Sequence, residues 1–253
     1  MPETTCGECQ GTGWVLVESG PGTTARRCKC YSERRNQILF EQANIPRRYR
    51  DCSFKNFEIH NDSHKDAMKI VKKFVKNYPV QDVGLLFLGP CGVGKTHLAV
   101  ATMNELIHKK RVPCYFCDFR ELIRSIQSTY SSDSELTEVD VLSPIFHKDV
   151  LILDELGAKR TTAWVEETVF YIINNRYNNK KLTIFTSNYP DADEEEEEDD
   201  RLDYYKKGGK KGKETLVDRI GIRLRSRLYE MCKIVQMDGD DYRKKIKQAS
   251  YRF

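Results

Sequence analysis

Hydrophobic positions along the chain follow two different periods. Met68, Val71, Phe74 and Val75 form one apolar stripe at helical spacing, which predicts a helix over 65–78. A second helix is predicted over 31–43, ended by Ile45 and Pro46. From residue 84 the pattern changes. Unbroken apolar runs at 85–88, 112–117, 150–153 and 182–186 alternate with helical stretches at 95–110, 119–130 and 163–177. A strand apolar on both sides must be covered on both sides, so this alternation predicts an α/β domain, a parallel sheet covered by helices. Leu216, Ile220, Leu224 and Leu228, spaced by four, predict one continuous helix over 216–231. Arg219, Arg223 and Arg227 repeat at the same interval on a neighbouring stripe. Segment 190–214 has no apolar periodicity and is expected to be a disordered charged insertion.

Composition narrows the class. With 253 residues, 39% hydrophobic and 32% charged, the chain can build a sizeable core and is neither membrane-embedded nor wholly disordered. Its longest uncharged stretch, 83–94, contains Gly and Pro and is too short to span a bilayer. The first residues lack a basic and then apolar leader, so a cytoplasmic protein with no membrane partner is expected. The net charge of +4 conceals a segment, 191–214, with eleven acidic and six basic residues. The compensating cations concentrate in 24–50 and 243–253, a distribution that suits a polyanionic partner such as nucleic acid and equally a solvated surface.

Four cysteines lie close to the N-terminus as Cys6-x-x-Cys9 and Cys28-x-Cys30, with eighteen residues between the pairs. In a reducing compartment, pairs at this spacing point to metal ligands before disulfides. Gly11-Thr12-Gly13 reads as a turn and 14–17 as one strand of a hairpin closed near Arg26 and Arg27, so a tetrahedral zinc ion on Cys6, Cys9, Cys28 and Cys30 would join the hairpin's ends. Cys114 and Cys117, three apart on a predicted strand, point to opposite faces and read as core.

The run Gly89-Pro90-Cys91-Gly92-Val93-Gly94-Lys95-Thr96 fits the phosphate-loop pattern between an apolar strand and a helix. Its glycines allow backbone N–H groups to converge on phosphate oxygens, Lys95 reaches the terminal phosphates, and Thr96 holds Mg²⁺. Asp154 and Glu155 end the apolar run 150–153. Asp154 is expected in the magnesium shell, and Glu155 is expected to polarise a water for attack on the γ-phosphate of ATP. Asn188, after the run 182–186, is placed to orient that water. An arginine of the Arg219, Arg223, Arg227 stripe could act as a finger on the nucleotide of an adjacent subunit, which requires a homo-oligomer.

These elements, together with Ile45-Pro46-Arg47-Arg48-Tyr49 and Ser226-Arg227-Leu228-Tyr229-Glu230-Met231-Cys232, resemble the DnaC/DnaI family of AAA+ replicative helicase loaders. The resemblance covers nearly the whole chain apart from the acidic insertion. It implies an AAA+ P-loop NTPase fold with a small N-terminal zinc module and a C-terminal lid truncated after Arg243. It implies ATP hydrolysis, a DnaB-type hexameric helicase as partner, and ATP-dependent assembly on single-stranded DNA. By the same resemblance Arg227 matches the finger, with Arg223 one turn earlier as fallback, and Arg243 matches a second sensor. Residues 1–43 would dock on the helicase, 44–62 would be a linker bordering the adenine through Tyr49, Phe54 and Phe57, for which an apolar core role fits equally, and 63–253 would be the ATPase domain. Arg120, Arg124, Tyr130, Lys159 and Arg160 are candidates for the DNA-facing surface. An IstB-type transposition helper is the nearest alternative, and an ATP-gated DNA-binding regulator with negligible turnover is another.

Overall fold

The computed structural model describes residues 6–20, 22–131, 135–159, 162–191 and 214–245. A hairpin of β1 (Trp14–Ser19) and β2 (Gly22–Arg27) leads into α1 (Lys29–Gln42), a 3-10 turn (Arg47–Tyr49) and α2 (Asp62–Asn77). The α/β part then runs β3 (Gly84–Leu88), α3 (Lys95–Glu105) with a wider π turn (Leu106–Lys110), β4 (Cys114–Asp118), α4 (Phe119–Ser128) and α5 (Glu138–His147). It continues through β5 (Val150–Asp154), α6 (Ala163–Asn178), β6 (Leu182–Ser187), α7 (Leu216–Ile220), α8 (Ile222–Met231), β7 (Cys232–Gln236) and α9 (Tyr242–Lys245).

Five parallel strands form the sheet in the order β4-β5-β6-β3-β7, with helices on both faces as the apolar runs predict. Successive side chains of one strand feed opposite cores. Leu85 and Phe87 pack with α2 and α3, whereas Leu86 and Leu88 pack with α4, α6 and α8. Cys114 and Cys117 divide in the same way, both buried. Residues between α1 and α2 are also packed: Ala43 and Ile45 are buried, and the Ala43 carbonyl accepts the Phe116 N–H at 2.8 Å, covering the outer edge of β4.

Three local features differ from the periodicity. The helix expected over 216–231 is broken at Gly221, which has φ 79° and where a Cβ would run into the Glu166 carboxylate. Arg219 therefore sits on a separate helix from Arg223 and Arg227. α5 begins at a Thr137/Asp140 capping box and tolerates Pro144 inside it. β7 adds a fifth strand, an edge strand whose exposed Lys233 and Gln236 interrupt the apolar run. Residues 192–213, nearly all of the acidic insertion, lie outside the described residues. Its two roots meet, since the Leu216 N–H donates to the Pro190 carbonyl at 2.8 Å. Among the described residues no helix is long and apolar enough to cross a membrane.

Candidate functional site

At the carboxyl end of the central strand β3 the chain turns through Gly89–Thr96 into α3. Gly94 occupies the N-cap with φ 94°, and a Cβ there would lie 2.7 Å from the Phe57 ring, so only glycine fits both the backbone and the space. No side chain caps α3, which leaves its first amides and the positive end of its dipole for an anion. Lys95 is only 6% exposed. Its Nζ donates to the Gly89 carbonyl, the Pro90 carbonyl and Asn188 Oδ1, each at 2.7 Å. Burial pushes the Lys95 ammonium down to about 8, partly opposed by Cys91, Asp154 and Glu155.

Asp154 ends β5 and is buried. One of its oxygens accepts from Thr96 Oγ1 at 2.9 Å and from Thr186 Oγ1 at 2.6 Å. Burial raises the Asp154 pKa, and these hydroxyls pull against it. Thr186 Oγ1 also accepts the Glu155 N–H at 2.9 Å, while Glu155 sits at φ 56°, an uncommon conformation for a non-glycine residue. The Glu155 carboxylate pairs with Arg120, whose guanidinium also lies 3.6 Å from Asp118. Two oxygens bound cis to magnesium at about 2.0–2.1 Å stand roughly 2.9 Å apart. The Thr96 hydroxyl and Asp154 carboxylate already have that separation, so these oxygens fit a hard divalent cation.

Phosphate loop, Glu155 and Asn188 line one cavity of about 1040 Å³, which also receives Arg243 from α9 and Arg48 from the 3-10 turn. Arg243 is anchored through its N–H to Asp241 Oδ1 at 2.9 Å, and the Tyr242 N–H donates to the Gly92 carbonyl at 3.2 Å. Tyr49 and Phe57 line the cavity, with the Phe57 ring packed against Gly94 of the loop, whereas Phe54 is not among the cavity's lining residues and packs against the core. The sequence pattern gives no role to Arg48, Thr186, Asp118 or the pairing of Arg120. Only Thr186 carries a signal, as a polar residue closing an apolar run two positions before Asn188.

Arg227 does not line this cavity. It lies in a cleft of about 530 Å³ on α8, its guanidinium 4.1 Å over the Tyr177 ring and 3.4 Å from Glu230. Arg223 shares the cleft, 4.6 Å over Phe170, whereas Arg219 pairs with Glu214 at 2.6 Å. Arg124 and Tyr130 lie farther along the α4 side of the molecule than Arg120, and Lys159 Nζ donates to Gln127 Oε1 at 3.0 Å. Arg160 lies outside the described residues.

The cysteine site stands apart. β1 and β2 pair with Trp14 opposite Arg27, and the Cys28 N–H donates to the Gly13 carbonyl at 2.9 Å, which brings the two cysteine pairs together. All four Sγ atoms lie within 4.8 Å of one another, with Cys6 and Cys28 at 3.8 Å and Cys9 and Cys30 at 3.4 Å. Tetrahedral thiolates bound to zinc at about 2.3 Å stand roughly 3.8 Å apart, so the four sulfurs fit that ion. The four sulfurs do not titrate alike: against its burial, hydrogen bonds from Cys30, Gly13 and Gly11 bring the Cys9 thiol down, whereas the contact with Cys9 pushes the Cys30 thiol up, because crowded thiolates repel one another when no cation lies between them.

Comparison with known proteins agrees with this architecture. A family model described as IstB-like ATP binding protein matches residues 25–202. The replicative helicase loader DnaC of Buchnera aphidicola subsp. Schizaphis graminum is 28% identical over 153 residues, 60% of this chain and 61% of the relative, so the match spans less than two thirds of that protein's length. The phage-like element PBSX protein XkdC of Bacillus subtilis is 28% identical over 97% of this chain and 84% of its own. A crystal structure of the DnaC helicase loader superposes with a TM-score of 0.62 at 32% identity, over 76% of this chain and 99% of that one. The sheet is that of an AAA+ domain, and the chain belongs to the IstB-like ATP-binding family, where it is of the DnaC/DnaI type.

Proposed function

We propose that this protein hydrolyses ATP and uses the cycle to place a DnaB-type hexameric helicase on single-stranded DNA. The observation that carries this reading is the similarity to the DnaC helicase loader over almost all of that structure. The convergence of the phosphate loop, Glu155 and Asn188 on one cavity supports the chemistry. Backbone amides of the loop and the first turn of α3 bind the triphosphate, and Lys95 exchanges its carbonyl partners for phosphate oxygens. Thr96 and Asp154 would hold a magnesium ion, which supplies charge neutralisation on the phosphates. Glu155 takes the proton of the attacking water and Asn188 orients that water. To do so Glu155 must leave Arg120, so this ion pair restrains turnover. Arg243 adds positive charge from the same chain, and Arg227, outside its own cavity, serves a neighbouring copy. The four-cysteine module, with zinc bound, docks on the helicase.

Phosphate release and retention of the host's replicative helicase test the two halves separately. Glu155→Gln is expected to keep ATP affinity and lose about 10²–10⁴ in turnover. Unchanged turnover removes the assigned base. The full chain is expected to retain the helicase on a pull-down, and Cys6→Ser/Cys9→Ser to release it. Retention of a transposase in its place would favour the IstB-type helper.

A further inference from the structure

α2 is capped by Asn61, whose Oδ1 accepts the His64 N–H at 2.9 Å and whose Nδ2 donates to the Asp238 carbonyl at 2.6 Å. These bonds pin the first turn of the helix to the segment that leads into α9. His64, in that turn, is only 4% exposed. Its Nδ1 accepts the His60 N–H at 3.4 Å, so the neutral ring carries its hydrogen on Nε2. Burial, and then the nearby His60, hold the His64 pKa below the usual imidazole value, against the backbone of Glu58 and Asp238. Nε2 is itself buried and has no hydrogen-bond partner among the described residues, an arrangement that costs stability until a ligand completes it. Nε2 faces Gly239, which has φ 136° and where a Cβ would lie 3.8 Å from it. The missing side chain keeps the space beside this donor open, and both residues line the nucleotide cavity. Phe57 packs against Gly94 of the phosphate loop and meets the His64 ring edge-on with centroids 5.4 Å apart, so one aromatic ring spans from the loop to His64.

We infer that His64 Nε2 donates to the N1 nitrogen of adenine and sets the preference of this cleft for adenine over guanine nucleotides. The inference rests on the ATP reading above and adds to it the residue that chooses the base. Phosphates held by the loop direct the glycosidic bond toward the loop, so the base edge farthest from that bond is the one that reaches His64. In adenine this edge presents N1 as a bare lone pair. In guanine N1 carries a hydrogen, and donor then opposes donor in a place closed to water. A buried group left unpaired rejects the wrong ligand more sharply than a missing apolar contact does. Asn61, which fixes the start of α2 against 238–239, and Gly239, which leaves the approach open, are positioning residues. His64 escapes notice in the sequence because a polar residue in the first turn of an amphipathic helix reads as solvent-facing.

The test uses the full chain with magnesium and a probe, ATP carrying a methylanthraniloyl group on its ribose, which unlabelled nucleotides displace. 1-Deaza-ATP, with C–H in place of N1, is expected to bind at least about tenfold more weakly than ATP, and GTP at least as weakly as 1-deaza-ATP. 7-Deaza-ATP, which keeps N1, should bind within about threefold of ATP. His64→Leu should lower the affinity for ATP to that for 1-deaza-ATP and remove the difference between the two. His64→Gln, whose amide N–H reaches about as far as Nε2, should keep part of that difference. The analogues are compared on the unaltered chain, so a folding defect in a variant does not enter their difference. Equal binding of ATP and 1-deaza-ATP, or a loss with 7-deaza-ATP in its place, overturns the assignment and leaves the ATP reading standing. A preference for ATP over 1-deaza-ATP that survives undiminished in His64→Leu gives N1 to another donor and also overturns it. Absence of any displaceable probe binding overturns both readings.

Discussion

The hairpin β1–β2 and the sheet strand β3 are both short β structure, yet they are held by different physics. Every residue of β2 is exposed, and Leu16 on β1 is 73% exposed, whereas all five residues of β3 are buried. β3 has hydrogen-bonded neighbours on both sides and a hydrophobic core above and below, so water is excluded from its ladder. The hairpin has one partner strand and no core of its own, and two strands alone are marginal in water. What closes it is the set of four sulfurs at its base. The same secondary structure can thus be stabilised by burial in one part of a chain and by ligand convergence in another, and the two should fail under different insults.

Metal removal is the strongest way to break this comparison. Chelation, or Cys6→Ser/Cys9→Ser, is expected to withdraw about 10 to 16 kcal/mol of binding free energy from the hairpin and unfold it. Amide resonances of 6–28 should collapse while those of β3 and β5 keep their dispersion. A metal-free chain with an intact hairpin would show that the sulfurs are not what holds it. The converse insult falls on Arg176. This guanidinium is fully buried and donates to the carbonyls of Leu182, Lys148 and Ile145 and to Thr183 Oγ1, tying α6 to the ends of β6 and α5. Arg176→Ala leaves these acceptors unpaired beside a cavity and is expected to cost about 3–5 kcal/mol in denaturant unfolding, with zinc content unchanged. The smallest effect sharpens the contrast within the hairpin. Arg27 lies 3.8 Å over the Trp14 ring and 4.3 Å over the Tyr31 ring. Arg27→Ala is expected to weaken the hairpin by about 0.5–1 kcal/mol, read as a modest fall in metal affinity. A loss as large as that from the cysteine replacements would mean that packing, and not the metal, dominates there.

How much of this is readable from the chain depends on whether the signal is local. The phosphate loop and the cysteine pairs depend on residues a few positions apart, and their spacing survives any uncertainty about the fold. The buried strands are visible because both their faces are apolar. β7 escapes the pattern because, as an edge strand, it keeps Lys233 and Gln236 in water and loses the unbroken run. Gly221 is passed over by the periodicity, since the leucine spacing continues across it and only the approach of Glu166 reveals the break.

The chemistry of the nucleotide cleft divides along the same line. Residue type and position in the strand–helix series are enough to nominate Lys95, Thr96, Asp154, Glu155 and Asn188, because Lys95 and Thr96 open the helix after one apolar strand and the other three stand at or just beyond the ends of two more. Which hydrogen bonds those groups make is decided only when β3, β4, β5 and β6 come together. The Thr186 hydroxyl that bridges Asp154 and the Glu155 amide, and the Arg120 guanidinium that holds Glu155, come from different strands and helices. One-dimensional order carries no information about which side chains meet across a sheet, so pairing, register and the direction of a long guanidinium belong to the tertiary structure alone.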